Sequence, residues 1–191
     1  MRIGLFFGSF NPIHIGHLII ANIIADSDEV DQVWFVVSPL NPFKKSSKSL
    51  IHEFDRYDMV EAASMDSYNL KVTDVEFNLP KPSYTIDTLA YLSDKHPEDH
   101  FKLIIGEDNL ESFPKWKNHQ QILSQYGLLV YPRPRAANSQ LFTHSKVKVI
   151  DAPKIDISAT FIRERISKNK SVKYLIPAGV WELIEKRKLY H

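Results

Sequence analysis

The chain has 191 residues, of which 43% are hydrophobic and 25% are charged, as is typical of a globular protein. Lys and Arg total 24 and Asp and Glu total 23, and the net charge of +1 gives no sequence-wide positive surface for nucleic acid. The absence of cysteine excludes disulfides, thiolate catalysis and cysteine-based zinc sites. With no signal peptide and no apolar segment of transmembrane length, we expect a soluble cytoplasmic protein, without a membrane partner, that forms one domain over residues 1–191.

Short strand-like runs alternate with helical patterns along the chain. Apolar runs rich in β-branched or aromatic residues predict strands at Ile3–Phe7, Val33–Val37, Leu70–Val75, Phe101–Ile105, Leu128–Tyr131 and Val147–Ile150. Helical spacing of apolar residues predicts helices at Leu18–Ala25, Ile51–Ser64, Thr85–Lys95, Gln120–Ser124, Thr160–Ser167 and Ala178–Lys188. The alternation favours an α/β, Rossmann-like, doubly wound and mostly parallel sheet that binds its ligand at the carboxyl ends of the strands, with a short helical C-terminal part over 158–191.

The turn between the first strand and the first helix is the most informative part of the chain. Residues 8–17 read Gly-Ser-Phe-Asn-Pro-Ile-His-Ile-Gly-His. Gly8 permits a sharp turn, and a helix that begins near Gly16 would direct its unpaired N–H groups toward an anion. His14 and His17 are three residues apart, so both imidazoles could face a polyphosphate. Alternatively, the histidines are exposed or satisfied locally; the spacing and the lack of a third ligand disfavour a metal pair.

Polar residues also follow the later strands. Lys44 could offset charge on ATP or be a solvated loop lysine. Gly106 permits close approach of the backbone to a ligand, and Asp108 could hold ribose hydroxyls or a hydrated Mg²⁺, or act as a helix N-cap. Glu107 is expected to face solvent.

The segment that opens the predicted helix after the last strand reads Ser-Ala-Thr-Phe-Ile-Arg over 158–163. Ser158 is a good N-cap, which by itself explains that serine. Thr160 and Arg163 would share one side of the first turn, where a cation opposes the helix dipole unless an anion is close. Arg163 is therefore a candidate for bidentate phosphate binding.

Trp116 follows Asp108 closely and lies among polar residues. A tryptophan face suits a flat cationic ring, although core packing is the alternative. Trp34 and Trp181 lie in apolar, periodic segments and are expected in the core.

The His-x-Gly-His motif is similar to the signature of the nucleotidyltransferase superfamily, which also includes class I aminoacyl-tRNA synthetases. Together with 158–163 and two central segments, Pro82–Leu89 and Gly106–Leu110, the chain resembles bacterial nicotinate-nucleotide adenylyltransferases from Gly8 to the segment 174–177. The resemblance implies transfer of an adenylyl group from ATP to nicotinic acid mononucleotide with Mg²⁺. The products would be nicotinic acid adenine dinucleotide and pyrophosphate.

The resemblance and the motifs together identify two groups of candidate site residues. The candidate substrate-binding residues, for the nicotinate carboxylate, the pyridine ring and the remaining contacts, are Ser83, Tyr84, Thr85, Trp116 and Arg133. The candidate ATP-binding residues, among which His14, His17 and Arg163 are also expected to be catalytic, are Gly8, Ser9, Phe10, His14, His17, Lys44, Gly106, Asp108, Ser158, Thr160 and Arg163.

The sequence departs from the family pattern at four positions. Asn11 replaces the usual Asp and lowers negative charge beside the expected triphosphate site. Glu107 and Ala159 replace a small residue and a second Ser, respectively. Arg135 replaces a Gly that commonly follows Arg-Pro, which weakens the transfer of a role to Arg133.

The expected nucleophile, a phosphate monoester, is already mostly dianionic at pH 7, so the reaction needs no general base. Two other functions remain open at this stage. A related transferase could act on phosphopantetheine, nicotinamide mononucleotide or a sugar phosphate, and a nucleotide-binding regulatory module could have lost turnover. A homo-oligomer is compatible with each of these functions.

Overall fold

The computed structural model describes residues 1–40, 49–134 and 139–191. Within these segments, six strands form one sheet in the order β3-β2-β1-β4-β5-β6, and all neighbouring strands are parallel. The strands are β1 (Arg2–Gly8), β2 (Gln32–Val37), β3 (Leu70–Thr73), β4 (His100–Gly106), β5 (Leu128–Tyr131) and β6 (Val147–Val149). The sheet grows outward from β1 in one direction and then from β4 in the other, so β1 and β4 flank the switch point at which such folds bind ligands.

Helices cover both faces of the sheet. The α-helices in the described segments are α1 (Ile15–Ala25), α2 (Glu53–Ser64), α3 (Thr85–Lys95), α4 (Glu107–Leu110), α5 (His119–Gln125), α6 (Ala159–Ser167) and α7 (Ala178–Arg187). Short 3₁₀ helices span Val75–Asn78, Phe113–Lys115 and Gln140–Thr143. None of the described helices is long and apolar enough to cross a membrane.

Two hydrophobic clusters lie on opposite faces of the sheet. Helices α1, α2, α6 and α7 contribute to one cluster, and α3 and α5 contribute to the other. Leu5 and Phe6 alternate in β1, so they point into different clusters. Because both faces are covered, the strands read as nearly continuous apolar runs. Trp34 and Trp181 pack against these clusters, as expected, but both remain partly exposed.

The predicted doubly wound parallel sheet is confirmed. The predicted strand Leu70–Val75 was wrong at its end, because β3 stops at Thr73. The hydroxyl oxygen of Thr73 accepts a hydrogen bond from the N–H of Val75 at 3.2 Å, and the chain turns there into a 3₁₀ helix. The second predicted helix begins two residues late, at Glu53, because His52 occupies the N-cap and its Nδ1 accepts from the Phe54 N–H.

Candidate active site

Two openings lie near the carboxyl ends of the strands and share Phe6 and Tyr131 as a common wall. The main cleft encloses about 390 Å³ and is lined by Phe6, Phe7, Gly8, Ser9, Ser38, Leu40, Glu76, Ser83, Thr85, Leu103, Ile104, Ile105, Gly106, Asn109, Ser112, Lys115, Trp116 and Tyr131. The side crevice encloses about 10 Å³ and is lined by Phe6, His14, Gly16, Ile20, Tyr131, Pro132, Arg133, Ile155 and Ile157. The main cleft is thus preformed, and the side crevice is nearly closed.

The turn after β1 is shaped by packing of its aromatic residue. Phe10 has a φ of 43°, in the left-handed region, and its buried ring packs edge-on to Phe6 and His17. A Cβ on Gly8 would approach the Phe10 ring to 2.7 Å. Gly8 is therefore needed for the close approach of the Phe10 ring, and Phe10 is the residue of this turn that takes the left-handed backbone conformation. Because the Phe10 ring is buried, we expect only its main chain to be available to a nucleotide.

A fully buried arginine in α2 holds this turn, and the sequence analysis missed it. Arg56 donates through Nη1 to the carbonyl oxygens of Ser9, at 2.6 Å, and Ser38, at 2.8 Å. It also donates to Pro39 and Ile51, at 3.2 and 3.1 Å. Burial lowers the pKa of Arg56, but a guanidinium remains charged in a protein. The sequence did indicate that Arg56 is buried, because it precedes two buried apolar residues of α2 by three and four positions and so lies on the same face of the helix.

The structure brings the two histidines of the motif together. His14 is the N-cap of α1, which begins at Ile15, one residue before the predicted start near Gly16. The His14 ring stacks on His17 with 3.7 Å between centroids. The His14 N–H donates to Nδ1 of His17 at 3.3 Å, so a neutral His17 carries its proton on Nε2. A Cβ on Gly16 would lie 3.1 Å from the His14 ring, so the glycine admits this ring position.

Both histidines are neutral in this environment. Burial, with a smaller effect from the positive charge of Arg133, lowers the pKa of His14 to about 4. Burial also lowers the pKa of His17 well below its usual value, and His14 and Arg133 add to the shift. At pH 7 the pair therefore offers N–H donors rather than two cations. An incoming anion would raise both pKa values.

A cluster of charged residues lies where β4 and β5 end. Asp108 Oδ1 lies 3.5 Å from Nε of Arg133, and the Arg133 guanidinium lies over the Tyr131 ring. Gly106 occupies the N-cap of α4, so the alternative of Asp108 as N-cap was wrong. The expectation that Glu107 faces solvent was also wrong, because its Oε2 accepts from the main-chain N–H of Arg133 at 3.0 Å. This contact fixes the backbone from which the Arg133 side chain reaches the side crevice.

The start of α3 forms one wall of the main cleft. Ser83, which is 6% exposed, and Thr85 line the cleft, whereas Tyr84 packs against the core with Lys117 over its ring. Tyr84 is the N-cap and provides no side-chain hydrogen bond. Capping therefore does not explain Ser83 and Thr85. The first N–H groups of α3 lack partners within the helix, as at any helix N-terminus.

A buried carboxyl group lies beside this wall, and the sequence analysis missed it. Glu76 is 2% exposed, lines the main cleft and accepts from the Thr88 hydroxyl at 2.8 Å. Burial raises the pKa of Glu76, and the hydroxyl groups of Ser38, Thr88 and Ser83 oppose that shift. The residue belongs to the 3₁₀ helix that replaces the end of a predicted strand, so the sequence pattern gave no signal for it.

Trp116 lines the main cleft, as does the start of α3. The 3₁₀ helix at Phe113–Lys115 carries it there, and its ring packs against Phe113 with 5.6 Å between centroids. Ser83, Thr85 and Trp116 were predicted as a group, and the structure brings them to one cleft.

The start of α6 lies against the turn after β1. Ser158 is the N-cap, and its hydroxyl oxygen accepts from the Phe161 N–H at 3.2 Å. Arg163 lies beyond the first turn of α6, and its Nη2 donates to the Thr160 hydroxyl oxygen at 3.2 Å. Its Nη1 donates to the main-chain oxygen of Asn11 at 2.7 Å. The argument from the helix dipole was therefore wrong for Arg163, since the guanidinium is bound to the turn.

Two further expectations require comment. The Asn11 side chain is 6% exposed and pairs with protein groups, and its expected effect on charge beside a triphosphate stays a prediction. Lys44 and Arg135 lie outside the described residues. In the described segments, no three His, Asp or Glu side chains form a group that could hold a metal ion.

Residues 5–165 match a family of proteins described as cytidylyltransferase-like. Over its full length the chain is 58% identical to a protein of Cytophaga hutchinsonii named "Probable nicotinate-nucleotide adenylyltransferase", of which it covers 98%. A protein of the same name from Flavobacterium psychrophilum is 48% identical, with 100% of this chain and 99% of that protein covered.

The fold also matches a solved structure, that of Plasmodium falciparum nicotinic acid mononucleotide adenylyltransferase complexed with NaAD. The TM-score is 0.83 at 21% identity, with 99% of this chain and 97% of that chain covered. The chain therefore belongs to the cytidylyltransferase-like family of nucleotidyltransferases. Within it, the similarity at 58% identity places the chain with the nicotinate-nucleotide adenylyltransferases.

Proposed function

We propose that this chain transfers the adenylyl group of ATP to nicotinic acid mononucleotide and releases pyrophosphate. The observation that carries the proposal is the main cleft, where the start of α3 and Trp116 face one space that borders the histidine motif through Phe6 and Tyr131. The acceptor would lie in the main cleft, and ATP would lie along the motif and the side crevice.

In the proposed reaction, an oxygen of the acceptor 5′-phosphate forms a bond to the α-phosphorus of ATP while the bond from that phosphorus to the pyrophosphate oxygen breaks. The dianionic nucleophile needs no base, so the site acts by positioning and by stabilising charge. His17 would donate from Nε2 to an α-phosphate oxygen, with His14 beside it. Arg163, held at Asn11, would support the outer phosphates, and Ser158 and Thr160 would contact ATP beside it.

On the acceptor side, the N–H groups at the start of α3 would bind the nicotinate carboxylate, with Ser83 and Thr85 beside them. Trp116 would stack on the cationic pyridine ring, a contact worth about 0.5–2 kcal/mol depending on desolvation. Arg133, next to His14, would contact phosphate or ribose after leaving Asp108.

Nucleotidyl transfer from ATP generally requires a divalent cation, and we propose Mg²⁺. Magnesium sites in such enzymes commonly combine one or two carboxylates with substrate phosphates and water. Asp108, whose side chain is 48% exposed at the rim, fits that requirement. The ion would neutralise charge on the phosphates, while Asp108 would hold the ion or a ribose.

We also infer that residues 1–191 act as one domain in the cytoplasm on these small molecules. The single continuous sheet supports the first inference, and the use of ATP supports the second.

The test is pyrophosphate release by the full chain with ATP, Mg²⁺ and one acceptor at a time. Release with nicotinic acid mononucleotide, well above that with nicotinamide mononucleotide or phosphopantetheine, is the expected result. Release with phosphopantetheine alone would assign the chain to another transferase. Binding of ATP without release for any acceptor would instead indicate a regulatory module.

A further inference from the structure

The C-terminal residues fold back onto the turn after β1. Helix α7 ends at Arg187, and Lys188 and Tyr190 then adopt left-handed φ values of 51° and 68°. The partly buried Tyr190 ring packs against the first hydrophobic cluster, and its hydroxyl group donates to Oδ1 of Asn11 at 2.8 Å. Burial raises the pKa of Tyr190, which keeps the hydroxyl group protonated and able to donate.

Asn11 connects three separate parts of the chain. Its Oδ1 accepts from Tyr190, its Nδ2 donates to the carbonyl oxygen of Ser49 at 2.9 Å, and its main-chain oxygen accepts from Arg163. An amide side chain accepts from a hydroxyl group through its oxygen and donates to a carbonyl through its nitrogen, whereas an ionised carboxylate can only accept. An aspartate, which the family resemblance leads one to expect here, would place a carboxylate oxygen against the Ser49 carbonyl.

These contacts connect the end of the chain to the candidate catalytic residues. Asn11 lies in the same turn as His14, and its carbonyl oxygen holds the guanidinium of Arg163. The two side-chain contacts restrain Asn11, and a displacement of this residue would move both the carbonyl oxygen that anchors Arg163 and the backbone that leads to the histidine pair. The Ser49 carbonyl oxygen, which can only accept, determines that the amide nitrogen faces it, and the Tyr190 hydroxyl group holds the amide oxygen on the other side.

We propose that Tyr190 is a positioning residue for adenylyl transfer, which acts through Asn11 to hold the turn and Arg163 in place for ATP. The proposal rests on the proposed function. The main cleft has no contact with this network, since neither Tyr190 nor Asn11 lines it. The effect of Tyr190 should consequently fall on the ATP side of the reaction.

The direct test is Tyr190→Phe, which removes one hydroxyl group and keeps the ring and its packing. We expect kcat to fall about tenfold, in line with the loss of one hydrogen bond to a buried group, and KM for the acceptor to stay within about twofold. Tyr174→Phe is the matched control, because Tyr174 belongs to the same C-terminal stretch and is 80% exposed. A Tyr190→Phe variant with a lower Tm but unchanged kcat would overturn the proposal in favour of a structural role.

Coupling through Asn11 is tested by repeating Tyr190→Phe in two other backgrounds. In Asn11→Ala the hydroxyl has lost its acceptor, so the added substitution should change kcat by less than about twofold. In Asn11→Asp an acceptor oxygen remains, so a clear effect of Tyr190→Phe should persist. Equal effects in the wild-type and Asn11→Ala backgrounds would refute action through Asn11. If Asn11→Ala does not fold, persistence or loss of the effect in Asn11→Asp decides the question.

A binding measurement separates this proposal from the proposed function. Calorimetry with a non-hydrolysable ATP analogue should show about two- to fivefold weaker binding to Tyr190→Phe and no change for Tyr174→Phe. Wild-type protein that releases no pyrophosphate would reject the proposed function, yet this difference in affinity would still report on Tyr190. Equal affinities together with equal kcat values would reject the positioning role.

Discussion

The main cleft and the side crevice share a wall but differ in how they are built. The main cleft encloses about 390 Å³, and the hydrogen-bonded pair Glu76 and Thr88 is buried beside it. The side crevice encloses about 10 Å³, and the neutral histidine stack and the Arg133 side chain border it. On the proposed assignment, an acceptor would enter a preformed space, whereas a nucleotide in the side crevice would need Arg133 or its neighbours to move. Preorganisation would thus be concentrated on the proposed acceptor side, where two similar acceptors must be distinguished.

The largest expected effect tests the histidine side of this comparison. His17→Ala should lower kcat by about two to three orders of magnitude, the scale of losing one donor to a developing negative charge, with little change in ATP affinity. Pyrophosphate release under saturating substrates measures it. His100→Ala is the control, since His100 is exposed at the opposite end of β4. A His17 variant with at least half of the wild-type kcat would remove His17 from the mechanism.

The next effect tests the preorganised side. Nicotinic acid mononucleotide should exceed nicotinamide mononucleotide by at least about a hundredfold in kcat/KM. An amide turned toward the N–H groups of α3 leaves a donor opposed to a donor, at about 1–3 kcal/mol for each unsatisfied group. Parallel kinetics with both acceptors give the ratio. A ratio below about ten would mean that the start of α3 does not recognise a carboxylate.

His14, beside the side crevice, and Glu76, beside the main cleft, should make the free energy of unfolding depend on pH in opposite directions. His14 binds a proton near pH 6.5 when unfolded but near pH 4 when folded, so stability falls as the pH drops through that interval, by up to about 3 kcal/mol. Glu76 should have the opposite effect. Its pKa is raised in the folded protein, so the carboxyl group ionises first in the unfolded chain, and stability is lost as the pH rises above the usual carboxyl range.

Urea unfolding at several pH values checks both signs. His14→Gln should reduce the loss of stability on acidification, and Glu76→Gln should gain stability relative to wild type at pH 7. His100→Gln, an exposed substitution, should follow the wild-type curve. An unchanged acid limb in His14→Gln would show that His14 is not held neutral in the folded protein.

The smallest expected effect concerns Trp116. Trp116→Ala should weaken both acceptors by about 2- to 30-fold in KM, the range of a cation–π contact, because each presents the same cationic ring. The KM for ATP should not change. A change confined to ATP would place the tryptophan on the nucleotide side, contrary to its position in the main cleft.

Sequence reasoning predicted the sheet and much of the site because those features are local. The two histidines lie within one ten-residue segment. Ser83, Thr85 and Trp116 lie in short segments whose residue types alone indicate ligand binding. Arg56, Glu76 and Tyr190 were missed because their roles depend on groups brought together by folding. Arg56 binds Ser9, 47 positions away, and Tyr190 binds Asn11, 179 positions away.

The glycine of the His-x-Gly-His motif has a further consequence. A Cβ on Gly16 would lie 3.1 Å from both the His14 ring and Cγ2 of Ile155, in the segment before α6. Gly16 thus sets a distance between the first helix and a part of the chain almost 140 positions later. The motif therefore imposes a steric requirement at Gly16 in addition to supplying the imidazole groups. The missing methyl group determines how closely the floor of the side crevice can approach the imidazole that borders it.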